Sequence, residues 1–456
     1  MLHYNHNEGI IIALSTPPGS GALGIVRLSG DNSIILVEKF FQGASLHDKK
    51  GKTIYFGNIV DEKLEIIDEV LVSIFRAPKS FTGEEMVEIS CHGSFYVINE
   101  IIRLFLRNGA EMANPGEFTM RAFMNGKMDL SQAEAISDLI ASKTKLSHDI
   151  ALKQLKGGFS SEIKELREKL INFASLLELE LDFSEEDVEF ADRNEFDILL
   201  VDILNVVHRL SESYKMGSVL KNGVPTVIVG RPNAGKSTLL NALLNEERAL
   251  VSEIPGTTRD TIEEELNING VIFKLIDTAG IRHASDQIEI MGIEKTMQKI
   301  DQSSLIIYIY DSLETTQEQV IEDLKKLESN QTPIIIVANK SDLLYESNLN
   351  FPQKHNSISA KNKQDVDELK QLIFNQVINS AIDTSGIIIT NERHHHLLDI
   401  AGEYLKNVRT GLENNTSADL VAIDVRAAIL ALGEITGTIS TDDLLGNIFS
   451  KFCIGK

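Results

Sequence analysis

The chain has 456 residues, 43% hydrophobic and 24% charged, which exceeds one ordinary domain and supplies several cores; about two to four domains are expected. Lysine and arginine number 44 against 67 acidic residues, and the net charge of −23 opposes the phosphate attraction behind non-specific nucleic-acid binding, leaving such a partner only a local basic patch. The two cysteines, Cys91 and Cys453, lie far apart without metal-ligand spacing, which argues against a disulfide scaffold.

The polar start Met1–Gly9 and the short apolar run Ile10–Leu14 do not make a signal core. No stretch reaches about 18 apolar residues, so no membrane segment is expected and a soluble, reducing, cytoplasmic setting is. Short apolar runs then alternate with turns: Ile10–Leu14, Gly24–Leu28, Val70–Phe75 and Met86–Ser90, punctuated by Pro17-Pro18-Gly19, Ser29-Gly30, Ala77-Pro78 and Asn114-Pro115-Gly116. A helix near Tyr96–Arg107 interrupts them. The pattern predicts an α+β domain over about residues 1–122.

Near residue 130 the texture becomes helical. Ser131 with Glu134 reads as a capping box. Ile163, Leu166, Leu170, Phe173, Leu177 and Leu181 repeat at helical spacing, and Asp197–Tyr214 reads the same way, giving a helical segment over 123–221. Lys221-Asn222-Gly223 marks a boundary. Strands at Thr226–Val229, Val271–Ile276, Leu305–Tyr310 and Ile334–Ala338 then alternate with helices over 222–380, which predicts a doubly wound, mostly parallel α/β sheet. Helices return over 381–456, where Val421, Val425, Ala428, Ile429, Leu432 and Ile435 share one face. Helical flanks on both sides suggest an all-α domain with the α/β domain inserted. Arg393-His394-His395-His396 is expected as a surface cluster rather than a metal site, because adjacent helical residues point apart.

Gly230-Arg231-Pro232-Asn233-Ala234-Gly235-Lys236-Ser237 fits GxxxxGK[ST] directly after a strand and before a helix starting at Thr238. Its backbone N–H groups and the helix N-terminus would cradle phosphates, Lys236 would reach the β- and γ-phosphates, and the Ser237 hydroxyl would ligate Mg²⁺. Asp277-Thr278-Ala279-Gly280 closes the strand Val271–Ile276; its carboxylate suits Mg²⁺ through water and the Gly280 N–H suits the γ-phosphate. Asn339-Lys340-Ser341-Asp342 follows another strand. The Asp342 carboxylate can accept two hydrogen bonds from guanine that adenine cannot supply, a kind of discrimination worth roughly 10⁴–10⁵-fold. Ser359-Ala360 matches a last guanine-contact loop. Four motifs in this order predict GTP binding. Between the first two lies Ser252-Glu253-Ile254-Pro255-Gly256-Thr257-Thr258, where a switch segment belongs and where Thr258 would complete the Mg²⁺ shell in the GTP state. Ile281 follows Gly280 and cannot orient water. Asp286 and Glu289 are downstream alternatives, and so is an ordinary solvated loop.

The strings Gly-Arg-Pro-Asn-Ala-Gly-Lys-Ser, Pro-Gly-Thr-Thr-Arg-Asp and Asp-Thr-Ala-Gly-Ile-Arg resemble the TrmE–Era–EngA group of GTPases. Thr16–Gly19, Gly24–Gly30, Ser80–Glu84, Pro115–Phe118, Asp442–Gly446 and Phe452–Lys456 narrow the resemblance to the MnmE (TrmE) family of tRNA-modification GTPases along the full length. That resemblance implies an N-terminal folate-binding domain that forms a homodimer. It also implies a complex with MnmG, which carries FAD and uses NADH, and installation of an aminomethyl or carboxymethylaminomethyl group on the wobble uridine of tRNA, with 5,10-methylene- or 5-formyl-tetrahydrofolate as folate. It places K⁺ at Asn233, Ser252, Ile254 and Thr257, catalytic water orientation at Glu289, and folate contacts at Arg27, Glu88, Lys127 and Lys456. Cys453 is either linked to the modification chemistry or a buried structural cysteine. The competing readings are a ribosome-assembly GTPase, which would carry an appended basic RNA-binding module, and a folate enzyme whose GTPase part only signals.

Overall fold

The computed structural model describes residues 9–182, 193–244, 263–276, 300, 302–327, 332–343, 355–378, 386–414 and 416–455. They form two compact units, one of residues 1–141, 151–208 and 396–456, the other of 142–150 and 209–395.

The first unit opens with β1 (Ile10–Leu14), β2 (Leu23–Ser29), α1 (Ser33–Glu38), β3 (Phe41–Gln42), β4 (Thr53–Val60), β5 (Ile66–Phe75), β6 (Met86–His92), α2 (Phe95–Arg107) and β7 (Ala110–Met112). The strands make one sheet in the order β3-β4-β5-β6-β2-β1-β7, antiparallel except where β1 meets β7. Ile98, Ile101, Ile102 and Phe105 recur on one side of α2 and bury against Val26, Val72, Val87 and Ile89, the alternate residues of the central strands.

Next come α3 (Glu117–Met124), α4 (Leu130–Ala141), α5 (Lys145–Leu155), α6 (Gly158–Asp182) and α7 (Arg193–Asn222). The capping box lies two residues before its expected place. Asp129 Oδ1 accepts the Gln132 N–H at 2.9 Å and Gln132 Oε1 accepts the Asp129 N–H at 3.0 Å. Ser131 and Glu134 are instead buried inside α4, with Ser131 sharing a 2.8 Å hydrogen bond with Ser160 of α6. Both patterns fit the local sequence; the one formed pairs the Asp129 and Gln132 N–H groups at the start of the helix.

The second unit holds β8 (Val224–Val229), α8 (Lys236–Leu244), β9 (Glu263–Ile268), β10 (Val271–Ile276), β11 (Leu305–Asp311), α9 (Gln317–Leu327), β12 (Ile334–Asn339), β13 (Asn356–Ser357) and α10 (Lys363–Val377). Its sheet runs β13-β12-β11-β8-β10-β9, parallel throughout except for the β9 edge. All seven residues of β11 are buried. Leu305, Ile307 and Ile309 enter one core with Leu239 and Leu243 of α8 and Leu369 of α10. Ile306, Tyr308 and Tyr310 enter the other with Val320 and Leu324 of α9. Helices on both faces explain why a central parallel strand reads as an unbroken apolar run. α7 continues past Tyr214 to Asn222, and Gly223 (φ +76°) turns the chain into β8.

The chain closes with α11 (Glu392–Glu413), α12 (Ala418–Thr436) and α13 (Asp442–Phe449). α12 packs on α6 and α4, so the helical flanks meet inside the first unit. Its expected face is buried at Val421, Val425, Ala428, Leu432 and Ile435. Gly433 leaves room for two side chains, since a Cβ there would lie 3.0 Å from Ile439 Cδ1 and 3.2 Å from Arg167 Nε of α6. The histidine run is not a surface cluster. His394 is fully buried beside the Arg393 guanidinium (3.0 Å), and His395 stacks on Tyr214 at 4.4 Å, because α11 presents successive residues to different surroundings. No helix among the described residues is long and apolar enough to cross a membrane.

α13 docks on α3 through Phe449, fully buried against Phe452 (centroids 5.3 Å) and Phe123 (6.4 Å). Gly116 makes the approach possible: its φ is +69°, its N–H donates to Cys453 O at 3.3 Å, and a Cβ would lie 2.6 Å from Phe449 O. Phe449→Ala should therefore cost about 3–4 kcal/mol of stability, read as a lowered denaturation midpoint; an unchanged midpoint would mean that the C-terminal helix adds nothing to this unit.

Candidate functional site

Parallel strands β8, β11, β12 and β13 end at one edge of the second unit's sheet, and the loops that follow β8, β12 and β13 leave from that edge. The first, Gly230–Gly235, joins β8 to α8. A Cβ on Gly230 would run into the Ile309 carbonyl of β11, so only glycine lets the chain leave the sheet there. Asn233 (φ +62°) and Gly235 (φ +99°) then curl the loop into the first turn of α8. Successive backbone N–H groups in such a curl, next to a helix N-terminus, form an anion cradle. The Lys236 ammonium donates to the carbonyls of Gly230 (2.6 Å) and Arg231 (2.8 Å), and burial lowers its pKa. Arg231 ties the loop to α9 through Asp323 at 2.8 and 3.1 Å, and the buried Tyr308 hydroxyl donates to the same carboxylate at 2.9 Å. Ser237 and Thr238 are exposed on the first turn.

The second loop starts at Asn339, where β12 ends. This residue is 3% exposed. Nδ2 donates to Ala234 O at 2.9 Å, and Oδ1 accepts the Ala360 N–H at 3.0 Å. One side chain thereby joins the first loop to the third, Ser359–Ala360. The third loop is braced by Asp365 of α10, whose Oδ2 accepts the Ser359 N–H at 2.6 Å. The Asp342 carboxylate is exposed beside this junction, in the short turn Ser341–Leu343. Lys340 has a left-handed backbone (φ +68°), and its ammonium pairs with Asp311, the last residue of β11. Burial alone would raise the Asp311 carboxyl, but Lys340 and the N–H groups of Leu313 and Glu314 hold it below the usual range.

The structure thus brings together Asn233, Ala234, Gly235, Lys236, Ser237 and Thr238 with Asn339, Lys340, Asp342, Ser359 and Ala360. Ser252, Glu253, Ile254, Pro255, Gly256, Thr257, Thr258, Asp277, Thr278, Ala279, Gly280, Asp286 and Glu289 lie outside the described residues. Asp311, Ser312, Asp323 and Asp365 also serve these loops and lie in none of the sequence motifs. The one available signal was the Tyr310-Asp311-Ser312 close of β11, a charge at the end of an otherwise apolar strand.

A second constellation lies in the first unit. Arg27 of β2 pairs with Glu88 of β6, directly across the ladder, at 2.8 Å; its guanidinium also donates to Gly455 O at 3.1 Å and sits 5.6 Å from the rings of Phe81 and Phe118. Lys127 donates to Pro78 O at 2.8 Å, next to the same Phe81 segment. Lys456 lies outside the described residues. Cys453 is exposed, so the alternative of a buried structural cysteine does not hold for it; the buried thiol is Cys91, which burial pushes up to about 11.

Gly235→Ala would drive a methyl into Asn339 Nδ2 at a positive φ. It should weaken binding of a fluorescent guanine nucleotide by about 100-fold, the equivalent of about 3 kcal/mol; wild-type affinity would mean that this loop does not hold the nucleotide.

Two family models match this chain: the MnmE helical domain over residues 130–453 and the GTP-binding protein TrmE N-terminus over residues 10–127. Among curated proteins, the tRNA modification GTPase MnmE of Cytophaga hutchinsonii is 50% identical, with 99% of this chain and 98% of that protein covered. The protein of the same description from Flavobacterium johnsoniae is also 50% identical (99% and 100%), and that from Bacteroides thetaiotaomicron is 46% identical (99% and 100%).

Proposed function

This chain belongs to the MnmE family of tRNA modification GTPases, and we propose that it uses GTP hydrolysis to drive, with MnmG, the placing of an aminomethyl or carboxymethylaminomethyl group on the wobble uridine of tRNA. The observation that supports the nucleotide half of this reading is the Asn339 amide, which joins the Gly230–Gly235 loop to the Ser359–Ala360 loop. The tRNA half is supported by relatives matched over nearly the whole length of both chains.

In this reading the 233–238 backbone binds the phosphates and Lys236 turns its ammonium from the loop carbonyls to the β- and γ-phosphates. Asp342 accepts guanine's paired donors, with Lys340, Ser359 and Ala360 completing the base pocket. Ser237 and Thr258, hard hydroxyl donors, suit magnesium, and the exposed Ser237 leaves its oxygen open to a ligand. Magnesium, when bound, neutralises charge on the leaving diphosphate. Asn233, Ser252, Ile254 and Thr257 offer the oxygen donors potassium takes; that ion supplies the charge an arginine finger gives elsewhere. Ser252–Thr258 and Asp277–Gly280 form the remaining nucleotide contacts, and Glu289 orients the attacking water in place of the apolar Ile281.

In the first unit, Arg27 and Glu88 set a donor beside an acceptor, which the edge of a pterin requires. With Lys127 and Lys456 they bind the tetrahydrofolate that supplies the carbon. The exposed Cys453 is available to the modification chemistry. The protein acts as a cytoplasmic homodimer whose MnmG partner brings FAD and NADH.

At equal ionic strength, hydrolysis should run faster in potassium than in sodium chloride, and Asn233→Ala should remove the difference; equal rates for the wild type would take potassium out of the mechanism. In cells lacking this chain, nucleoside analysis of tRNA should show the wobble modification missing, and its persistence would refute the cellular role.

A further inference from the structure

The end of β11 holds the base-recognition turn more tightly than strand pairing requires. Asp311 and Asn339 are register partners at the last rung of the β11–β12 ladder. Beyond that rung, Ser312 donates both its N–H, at 3.1 Å, and its hydroxyl to the Asn339 carbonyl. Asp311 reaches over to the Lys340 ammonium, and its Oδ1 accepts the Leu313 N–H at 2.9 Å. The Asp311 side chain is 5% exposed, and burying a charge is costly unless it is paired. Lys340 in turn keeps a left-handed backbone that lysine rarely adopts. A buried carboxylate paired to the side chain of a residue with a strained backbone, beside a candidate binding loop, points to function rather than packing.

We propose that Asp311 is a positioning residue for guanine-nucleotide binding, fixing the ammonium of Lys340 so that the lysine stem is already in place beside the base before the nucleotide arrives. The proposal rests on the reading of residues 339–342 as the base-recognition turn. A free lysine has many rotamers and loses them on binding; a lysine anchored at its tip has lost them beforehand. The base is common to GTP and GDP, so the benefit falls on the affinity of both and not on the chemical step.

The test is Asp311→Asn, which keeps the side chain's shape and removes its charge. Kd for GDP and for a non-hydrolysable GTP analogue should rise together by about tenfold, the size of one charge-assisted hydrogen bond. KM for GTP should rise likewise, with kcat retained at saturation. Lys340→Met should weaken binding too, and D311N/K340M should bind no worse than K340M alone, since the carboxylate then has nothing to position. Unchanged Kd in D311N, losses that add in the double variant, or a fall in kcat at unchanged KM would each overturn the proposal. Should D311N fail to fold, the comparison of K340M with the double variant decides. Asp342→Asn serves as the control. If it does not move preference from guanosine to xanthosine triphosphate, the reading of the turn itself fails; if it does while D311N binds as wild type, only the role of Asp311 fails.

Discussion

The candidate nucleotide site depends on one buried amide. Asn339 donates to the phosphate loop and accepts from the Ser359–Ala360 loop, and no other uncharged side chain of that length has both a donor and an acceptor to give. Aspartate in its place would set a carboxylate against the Ala234 carbonyl, and leucine would leave a buried carbonyl and a buried N–H unpaired. The neighbouring features serve the same junction. Gly235 has no Cβ because the amide passes where one would stand, and Ser312 fixes the Asn339 main chain from the adjacent strand.

The sheet makes that junction possible. Parallel strands deliver all their C-terminal ends to one edge, and β8, β11 and β12 are held in register there by cores on both faces. The alternation of Leu305, Ile307 and Ile309 with Ile306, Tyr308 and Tyr310 locks β11 between two helical layers, so its last residue, Asp311, has a fixed position from which to act. Rigidity here is a product of apolar packing; recognition is a product of the polar groups that packing places at its rim.

Most of this architecture was legible in the sequence wherever local chemistry is sufficient. The Gly230–Ser237 loop, the apolar face of α12 and the strands β10 and β12 follow from spacing alone. The failures share a physical cause: they turn on which of two satisfactory local arrangements the tertiary structure selects. Ser131 and Glu134 have the residues of a capping box, but Asp129 and Gln132 have them as well, and burial of Ser131 against Ser160 settles the choice. His394 disappears into the interior because of what packs beside α11, which a run of three histidines does not disclose. Asp311 and Asp323 act on residues remote in sequence, Lys340 and Arg231, so no local motif contains them.

The first unit follows a comparable rule. Its C-terminal tail returns to the first strands: Phe449 fills a pocket at α3, and the Gly455 carbonyl accepts from both Ser15 and Arg27. Residues from opposite ends of the chain therefore meet at the Arg27–Glu88 pair, as residues from three loops meet at Asn339. The central claim is that the edge of the parallel sheet recognises the guanine base as well as the phosphates. The most direct test is equilibrium displacement of a fluorescent GDP analogue from the purified full-length chain in magnesium. Saturable binding displaced by GTP and GDP, and not by ATP at the same concentration, is the result this account predicts. Absence of saturable binding, or displacement by ATP as readily as by GTP, would contradict it.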